Sequence, residues 1–408
     1  MKIYIIINLI FLLTHGLFGQ SVLDEYLQTA AENHPGLKAR YNEYLAALEK
    51  VPQSGLLPDP QVSFGYFISP VETRVGSQRM KFSLSQMFPW FGTLSKEKSV
   101  AAEMAKAKFE VFEDDKRKLY SGVKTQYFEL VRLDQIGKIL DENNNLLNTL
   151  EALATQRFEN NQGSLVEVIK IGLRINELKT LNSLNNDLLQ TSKRTFNLTL
   201  GRVIDDEIEI TQDPQSIDQL VDPNASMDQH PTLKNLTHQI NSYDELIGLT
   251  KLQAKPRFGF GIDYVVTDQR NDIAVPNNGQ NALMPMVTMS LPIFGKKYKA
   301  ITKEAELMKQ ARQNEFDNGK LSLLTDYENK LFELKKARKN LELYESQISE
   351  TQNAIDLLLT AYTTDKAGFE DLLEMQEQQL NYQTSWQNAF KDLNASLAEI
   401  EYLTGNEN

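Results

Sequence analysis

Prolines stand at positions 35, 52, 58, 60, 70, 89, 214, 223, 231, 256, 276, 285 and 292, which leaves residues 90 to 213 and 293 to 408 without one. Proline inside a helix costs about 3 kcal/mol, so two such long proline-free windows are what very long helices require. Apolar residues recur there at steps of three and four: Leu119, Val123, Tyr127, Leu130 and Leu133 in the first window, Trp386, Phe390, Leu393, Leu397 and Ile400 in the second. This is the a/d seam of coiled-coil packing, and an ordinary amphipathic bundle shares the spacing. Each window carries one turn composition near its middle, Phe158 to Ser164 around Asn161 and Tyr362 to Gly368 around Asp365. Asn and Gly tolerate left-handed backbone, and Ser or Thr before an apolar run caps a helix, so each window is predicted to be a helical hairpin. The first arms, 93–157 and 296–361, would each be about 65 residues and roughly 95 to 100 Å long.

The two halves repeat each other at a nearly constant offset. His34-Pro35-Gly36-Leu37-Lys38 recurs as His230-Pro231-Thr232-Leu233-Lys234, and Pro60 with Phe64-Gly65 recurs as Pro256 with Phe260-Gly261. Pro89-Trp90-Phe91-Gly92 answers to Pro292-Ile293-Phe294-Gly295, and Leu198-Thr199-Leu200-Gly201 to Tyr402-Leu403-Thr404-Gly405. Such matches in one order point to duplication: a first repeat over 20–201, an acidic connector over 202–227, a second repeat over 228–405 and a tail over 406–408. The repeat explains His34 and His230 as a pair without any ligand role.

Between the early helix and the long hairpin of each repeat the period changes to two. Val62, Phe64, Tyr66 and Ile68 alternate with Gln61, Ser63, Gly65 and Phe67; Phe258, Phe260, Ile262 and Tyr264 alternate with Gly259, Gly261, Asp263 and Val265. Strands are expected at about 61–68, 80–88 (with a slip near Gln86), 257–266 and 283–292, joined by outward loops over 74–79 and 267–282. Their length suits a tilted bilayer crossing. Four strands cannot close a barrel, and open edges are not tolerated in lipid, so oligomerisation follows; three copies would supply twelve strands.

Residues 1–19 combine Lys2 with a short, interrupted apolar run and a small residue, Gly19, at its end, the pattern of a secretory signal peptide. The absence of Cys excludes disulfides, thiolate metal sites and a cysteine nucleophile. With 43 Lys+Arg against 55 Asp+Glu and a net charge of -12, nucleic acid is excluded as the main partner. No His-Glu-x-x-His, Gly-x-Ser-x-Gly or Walker pattern occurs, and Gly259-Phe260-Gly261 lacks the third glycine of a dinucleotide fingerprint. The expectation is a non-enzyme without cofactor or metal. The methionines near the strands, such as Met87 and Met286, read as packing or lipid-facing residues.

The duplicated strand, strand, long-hairpin order, the Pro-x-Phe-Gly junction and the turn from Arg157-Phe158 to Glu167-Val168 together resemble the TolC-like outer-membrane efflux proteins. The resemblance covers essentially the whole mature chain. In that family the turn reads Arg-Tyr-x-x-Gly-x-x-x-x-x-Asp-Val-Leu; here Asn161 takes the glycine position and Glu167 the acidic one, with Tyr362, Asp365 and Asp371-Leu372-Leu373 at the corresponding places of the second repeat. The resemblance implies a mainly α protomer with membrane β-strands, trimerising into a twelve-stranded barrel continued by a periplasmic α-barrel. It implies a location in the bacterial outer membrane and periplasm, contact with outer-membrane lipid, a periplasmic adaptor, and an inner-membrane pump, by preference of the resistance-nodulation-division type. It also implies site residues. Asp371 and Glu374, three apart on one helix face, would ring the inner aperture and favour cations. Glu167 and Tyr362 would meet across neighbouring hairpins and hold the aperture closed, with Lys366 standing in for the family's basic residue, since Ala367 occupies that position.

The function these readings imply is a passive, gated exit duct for heavy-metal cations or drugs. Two alternatives remain at this stage: the exit duct of a type I protein secretion system, and a periplasmic coiled-coil adaptor or structural protein without a pore. The bilayer-length alternating segments argue against the last.

Overall fold

The computed structural model describes residues 21–212, 227–364 and 368–405. The predicted signal peptide, much of the connector, the turn residues Asp365 and Lys366, and the tail lie outside the described residues. Two short helices, α1 (Val22–Asn33) and α2 (Pro35–Ser54), precede strands β1 (Gln61–Thr73) and β2 (Gly76–Phe88) and the hairpin of α3 (Thr93–Glu159) and α4 (Leu165–Leu200). The second half runs α5 (Pro231–Gln253), β3 (Arg257–Thr267), β4 (Ala282–Ser290), α6 (Gly295–Thr363) and α7 (Phe369–Thr404). Lengths echo between halves: α3 and α6 have 67 and 69 residues, and α4 and α7 have 36 each. Both hairpins also end alike, on Gly201 and Gly405 at φ 68 and 71. A Cβ on Gly201 would sit 3.0 Å from the Asn33 backbone, so glycine is required there twice over.

The chain divides into two compact units that draw on both repeats: one of residues 40–112 and 231–320, the other of the remaining segments. The first unit holds a four-stranded antiparallel sheet in the order β1-β2-β3-β4. Cross-strand pairs set its faces: Phe64 opposite Phe82, Phe82 opposite Tyr264, and Tyr264 opposite Leu283 put the large apolar side chains on one face. Ser63, Ser83 and Asp263 share the other, where Lys81 pairs with the fully buried Asp263. The apolar face is exposed, with Val62 at 77% and Val287 at 72%, which is the pattern of a surface meant for lipid. No described helix is long and apolar enough to cross a membrane.

Several strand limits differ from the sequence expectation. β1 continues past Ile68 through Pro70 to Thr73, because Pro70 falls where the register shifts between Tyr66 and Val71, on an edge strand where a missing N–H breaks no ladder bond. β2 begins at Gly76, so the expected 74–79 loop shrinks to Arg74-Val75. The expected slip at Gln86 is absent: Gln86 pairs regularly with Phe260, and the irregularity lies between Gln78 and Met80. β3 extends to Thr267, and β4 stops at Ser290, short of Pro292.

The second unit is built on the helical seams. Val123, Tyr127, Phe128, Leu130 and Leu133 of α3 are buried with Leu189, Phe196 and Leu200 of α4 and Phe390 of α7. A second cluster towards the hairpin turns joins Leu147, Leu150 and Ala154 to Ile171, Ile175, Tyr362, Phe369 and Leu372. Between helices α3 and α7, Phe128 meets Phe390 edge-on at 6.1 Å and Asn143 donates to Gln383 at 3.2 Å. The segment after Gly201 is strapped to this core by two phenols: Tyr26 Oη accepts from the Glu209 N–H at 2.8 Å, and Tyr127 Oη from the Thr211 N–H at 2.9 Å. Tyr127→Phe removes one strap and leaves a main-chain donor without its acceptor, an expected loss of about 1 to 2 kcal/mol, read as a lower thermal midpoint by circular dichroism.

Candidate functional site

The hairpin turns bring two of the sequence-predicted residues, Glu167 and Tyr362, together. α3 ends in a Schellman arrangement, with the Gln162 N–H donating to Arg157 O at 2.8 Å and the Asn161 N–H to Phe158 O at 3.0 Å. Asn161 occupies the left-handed position at φ 58, as its place in the turn requires. Ser164 then caps α4, its hydroxyl accepting from the Val166 N–H at 3.2 Å. Glu167 is three residues beyond this cap, where a capping-box acid turns back to the cap's own N–H. Its carboxylate instead faces the other hairpin, and Oε2 accepts from the Tyr362 hydroxyl at 2.9 Å.

Tyr362 is 2% exposed and packs against Phe369 at 5.8 Å. Its acidity is pushed down, the pKa rising to about 12, first by burial and then by the hydrogen bond to Glu167 and that group's charge. The phenol is therefore a permanent donor at any physiological pH.

Arg157, which sequence reasoning quoted only as part of a motif, joins both turns. Nη1 donates to Tyr362 O at 2.6 Å, Nη2 donates to Gln162 O at 3.1 Å, and the guanidinium lies 4.5 Å over the Tyr362 ring. Tyr362 O belongs to the last turn of α6, whose carbonyls have no partner within the helix, so a cation there satisfies both a hydrogen bond and the helix dipole.

Further along the same face, Lys170 pairs with Glu370 and Arg174 reaches Glu377 at 3.5 Å. The Lys170 hydrogen bond and charge hold the Glu370 carboxyl below its usual range. The bases of the first hairpin thus engage Glu370 and Glu377 of α7. Asp371 and Glu374 stay exposed and form no ion pair among the described residues; Glu374 accepts only from Gln378 at 3.3 Å. Their negative charge is left for whatever lies beyond that face. Lys366, the expected third gate residue, and Asp365 are outside the described residues.

Comparison with known proteins places this architecture. Residues 223–406 match the family model described as outer membrane efflux protein. No curated protein sequence matches significantly. Among solved structures, the outer membrane protein VceC of Vibrio cholerae superposes with a TM-score of 0.75 at 14% identity, over 94% of this chain and 96% of that one. The CusC channel gives 0.79 at 13% identity over 96% and 93%. The Neisseria gonorrhoeae outer membrane channel MtrE, solved in its open state, gives 0.73 at 14% identity over 94% and 89%. At these identities the likeness is one of fold, that of channel-tunnels in which four strands make one protomer's share of the barrel.

Proposed function

We propose that this chain, which belongs to the TolC-like outer membrane efflux protein family and extends from the outer membrane into the periplasm, is the trimeric exit duct of a tripartite efflux system, closed at the turn end of its helical hairpins. Conduction is passive. The observation that carries the closed state is the Tyr362 to Glu167 hydrogen bond between the two hairpins, backed by Arg157. A buried phenol on a carboxylate contributes about 1.5 to 3 kcal/mol, and three copies act on one aperture.

Asp371 and Glu374 line that aperture in this reading. Repeated around a narrow axis, unpaired carboxylates concentrate cations and repel anions. A periplasmic adaptor opens the gate by competing for the hairpin turns, and an inner-membrane pump of the resistance-nodulation-division type supplies the energy. Heavy-metal cations and drugs are the substrate classes that such pumps would deliver, and selection rests with the pump because the duct wall is generic. No covalent step is assigned to any residue.

The test is reversal potential in planar bilayers under a salt gradient. Wild type is expected to be cation-selective, and Asp371→Ala/Glu374→Ala to lose most of that selectivity while still conducting. Unchanged selectivity in the double variant would remove these two residues from the aperture.

A further inference from the structure

A cavity of about 420 Å³ lies in the strand-bearing unit where the strands meet the helices. Its walls come from Asp59 just before β1, Trp90 just after β2, Thr93 and Glu97 in the first turns of α3, and Arg257 at the start of β3. Thr93 is 3% exposed, and its hydroxyl has no hydrogen-bond partner among the described residues. A buried hydroxyl without a partner costs about 1 to 3 kcal/mol, so this one favours a polar group beside it. The helix end beside it is uncapped by any side chain, because Gly92 stands at the capping position, at φ 84 where glycine is favoured.

The charges are equally unmatched. Arg257 on one side and Glu97 and Asp59 on the other line one cavity, and among the described residues no ion pair joins any of the three to another group. Opposite charges around one space that do not meet each other suit a ligand with both signs. Leu56 and Leu57 extend the same wall as exposed apolar surface, at 69% and 44%. Trp90, 6.1 Å from Phe258 of the lipid-facing row, sets the cavity at the level of an interfacial aromatic belt.

We propose that this cavity binds the headgroup of a zwitterionic phospholipid carrying a primary ammonium, drawn from the periplasmic leaflet of the outer membrane. The phosphate takes the Thr93 hydroxyl, the Leu94 and Ser95 amides that follow it in the first turn of α3, and Arg257; the ammonium takes Glu97 or Asp59; the acyl chains follow Leu56 and Leu57. The assignment rests on the reading of the strands as membrane-embedded, and it makes the strand-to-helix junction a lipid-anchored one.

Native mass spectrometry of the detergent-purified mature protein, with equal amounts of dilauroyl phosphatidylethanolamine, phosphatidylcholine and phosphatidylglycerol, tests it. Wild type should retain the ethanolamine lipid about tenfold better than either other. Arg257→Gln should lower that retention about tenfold, and Thr93→Val, which keeps the shape, about three- to tenfold. Glu97→Gln/Asp59→Asn should abolish the preference for ethanolamine over choline. Equal retention of the three lipids, or retention unchanged in Arg257→Gln and Thr93→Val, would overturn the site. Glycerophosphoethanolamine bound as well as the whole lipid would overturn the lipid assignment in favour of a soluble phosphoester. Bilayer current in the same variants should match wild type; a wild type that carries no current would sink the channel reading, whereas normal current without lipid preference sinks only this one.

Discussion

Tyr362→Phe is expected to convert a mostly closed channel into a mostly open one, with a several-fold rise in single-channel conductance. The substitution keeps the ring that packs on Phe369 and removes only the donor to Glu167. If each of three protomers loses about 2 kcal/mol of closed-state stabilisation, the sum is about 6 kcal/mol, enough to move a two-state equilibrium from about 1:99 to 99:1. Glu167→Ala should open the channel to a similar extent, and the combination with Tyr362→Phe should add little, since both remove one bond. Arg157→Gln should open it as well. Arg157→Lys should fail to restore closure, because a single ammonium lacks the fork that serves the Tyr362 and Gln162 carbonyls together. Additive effects of Tyr362→Phe and Glu167→Ala would show that the two side chains act separately.

Acidification should destabilise the helical unit well before ordinary carboxylates titrate. His230 is 1% exposed and lies edge-on to Tyr402 at 5.1 Å. Its pKa is pushed down to about 4, first by burial, with Asp114 opposing and Arg117 and Lys118 assisting. The unfolded chain titrates near 6.5, so between about 6.5 and 4 the unfolded state binds more protons and stability falls as pH falls. The full shift corresponds to about 3 kcal/mol per protomer. Thermal midpoints measured by circular dichroism from pH 7 to pH 4 should drop steeply in wild type and less in His230→Gln, whose absolute stability at pH 7 is lower. Parallel curves for the two proteins would rule out His230 as the source.

The two histidines that the repeat makes equivalent have parted in role, and this marks where sequence reasoning stops. His34 accepts from the Leu37 N–H at 3.3 Å and so starts α2, whereas His230 is buried beside α7. Duplication was visible in the letters; the difference depends on neighbours that the letters do not display. The long helices were legible because missing prolines and an apolar seam constrain every residue of a helix, and Val123, Tyr127, Leu130 and Leu133 are all buried as that seam requires. Leu119, Trp386 and Leu393 are the exceptions: each is half-buried, and Asn394 takes the interior place beside Leu393.

Strand limits were less legible. Alternation stops at Ile68, and Ser77, Gln78 and Arg79 offer no apolar face, yet these residues continue β1 and β2 because each strand is held by its partner's backbone. At the proposed gate, local chemistry alone would assign Glu167 to the Ser164 cap, and only family resemblance directed it to Tyr362. Arg157 went unread for another reason: its partners are main-chain carbonyls, which no residue pattern reveals.

The most direct test of the central claim is the current carried by the purified wild-type protein in a planar bilayer. A gated trimeric duct predicts stepwise insertion with small, cation-selective unitary currents. A folded, helical protein that inserts nowhere and carries no current would contradict it, and would leave a periplasmic coiled-coil protein in its place.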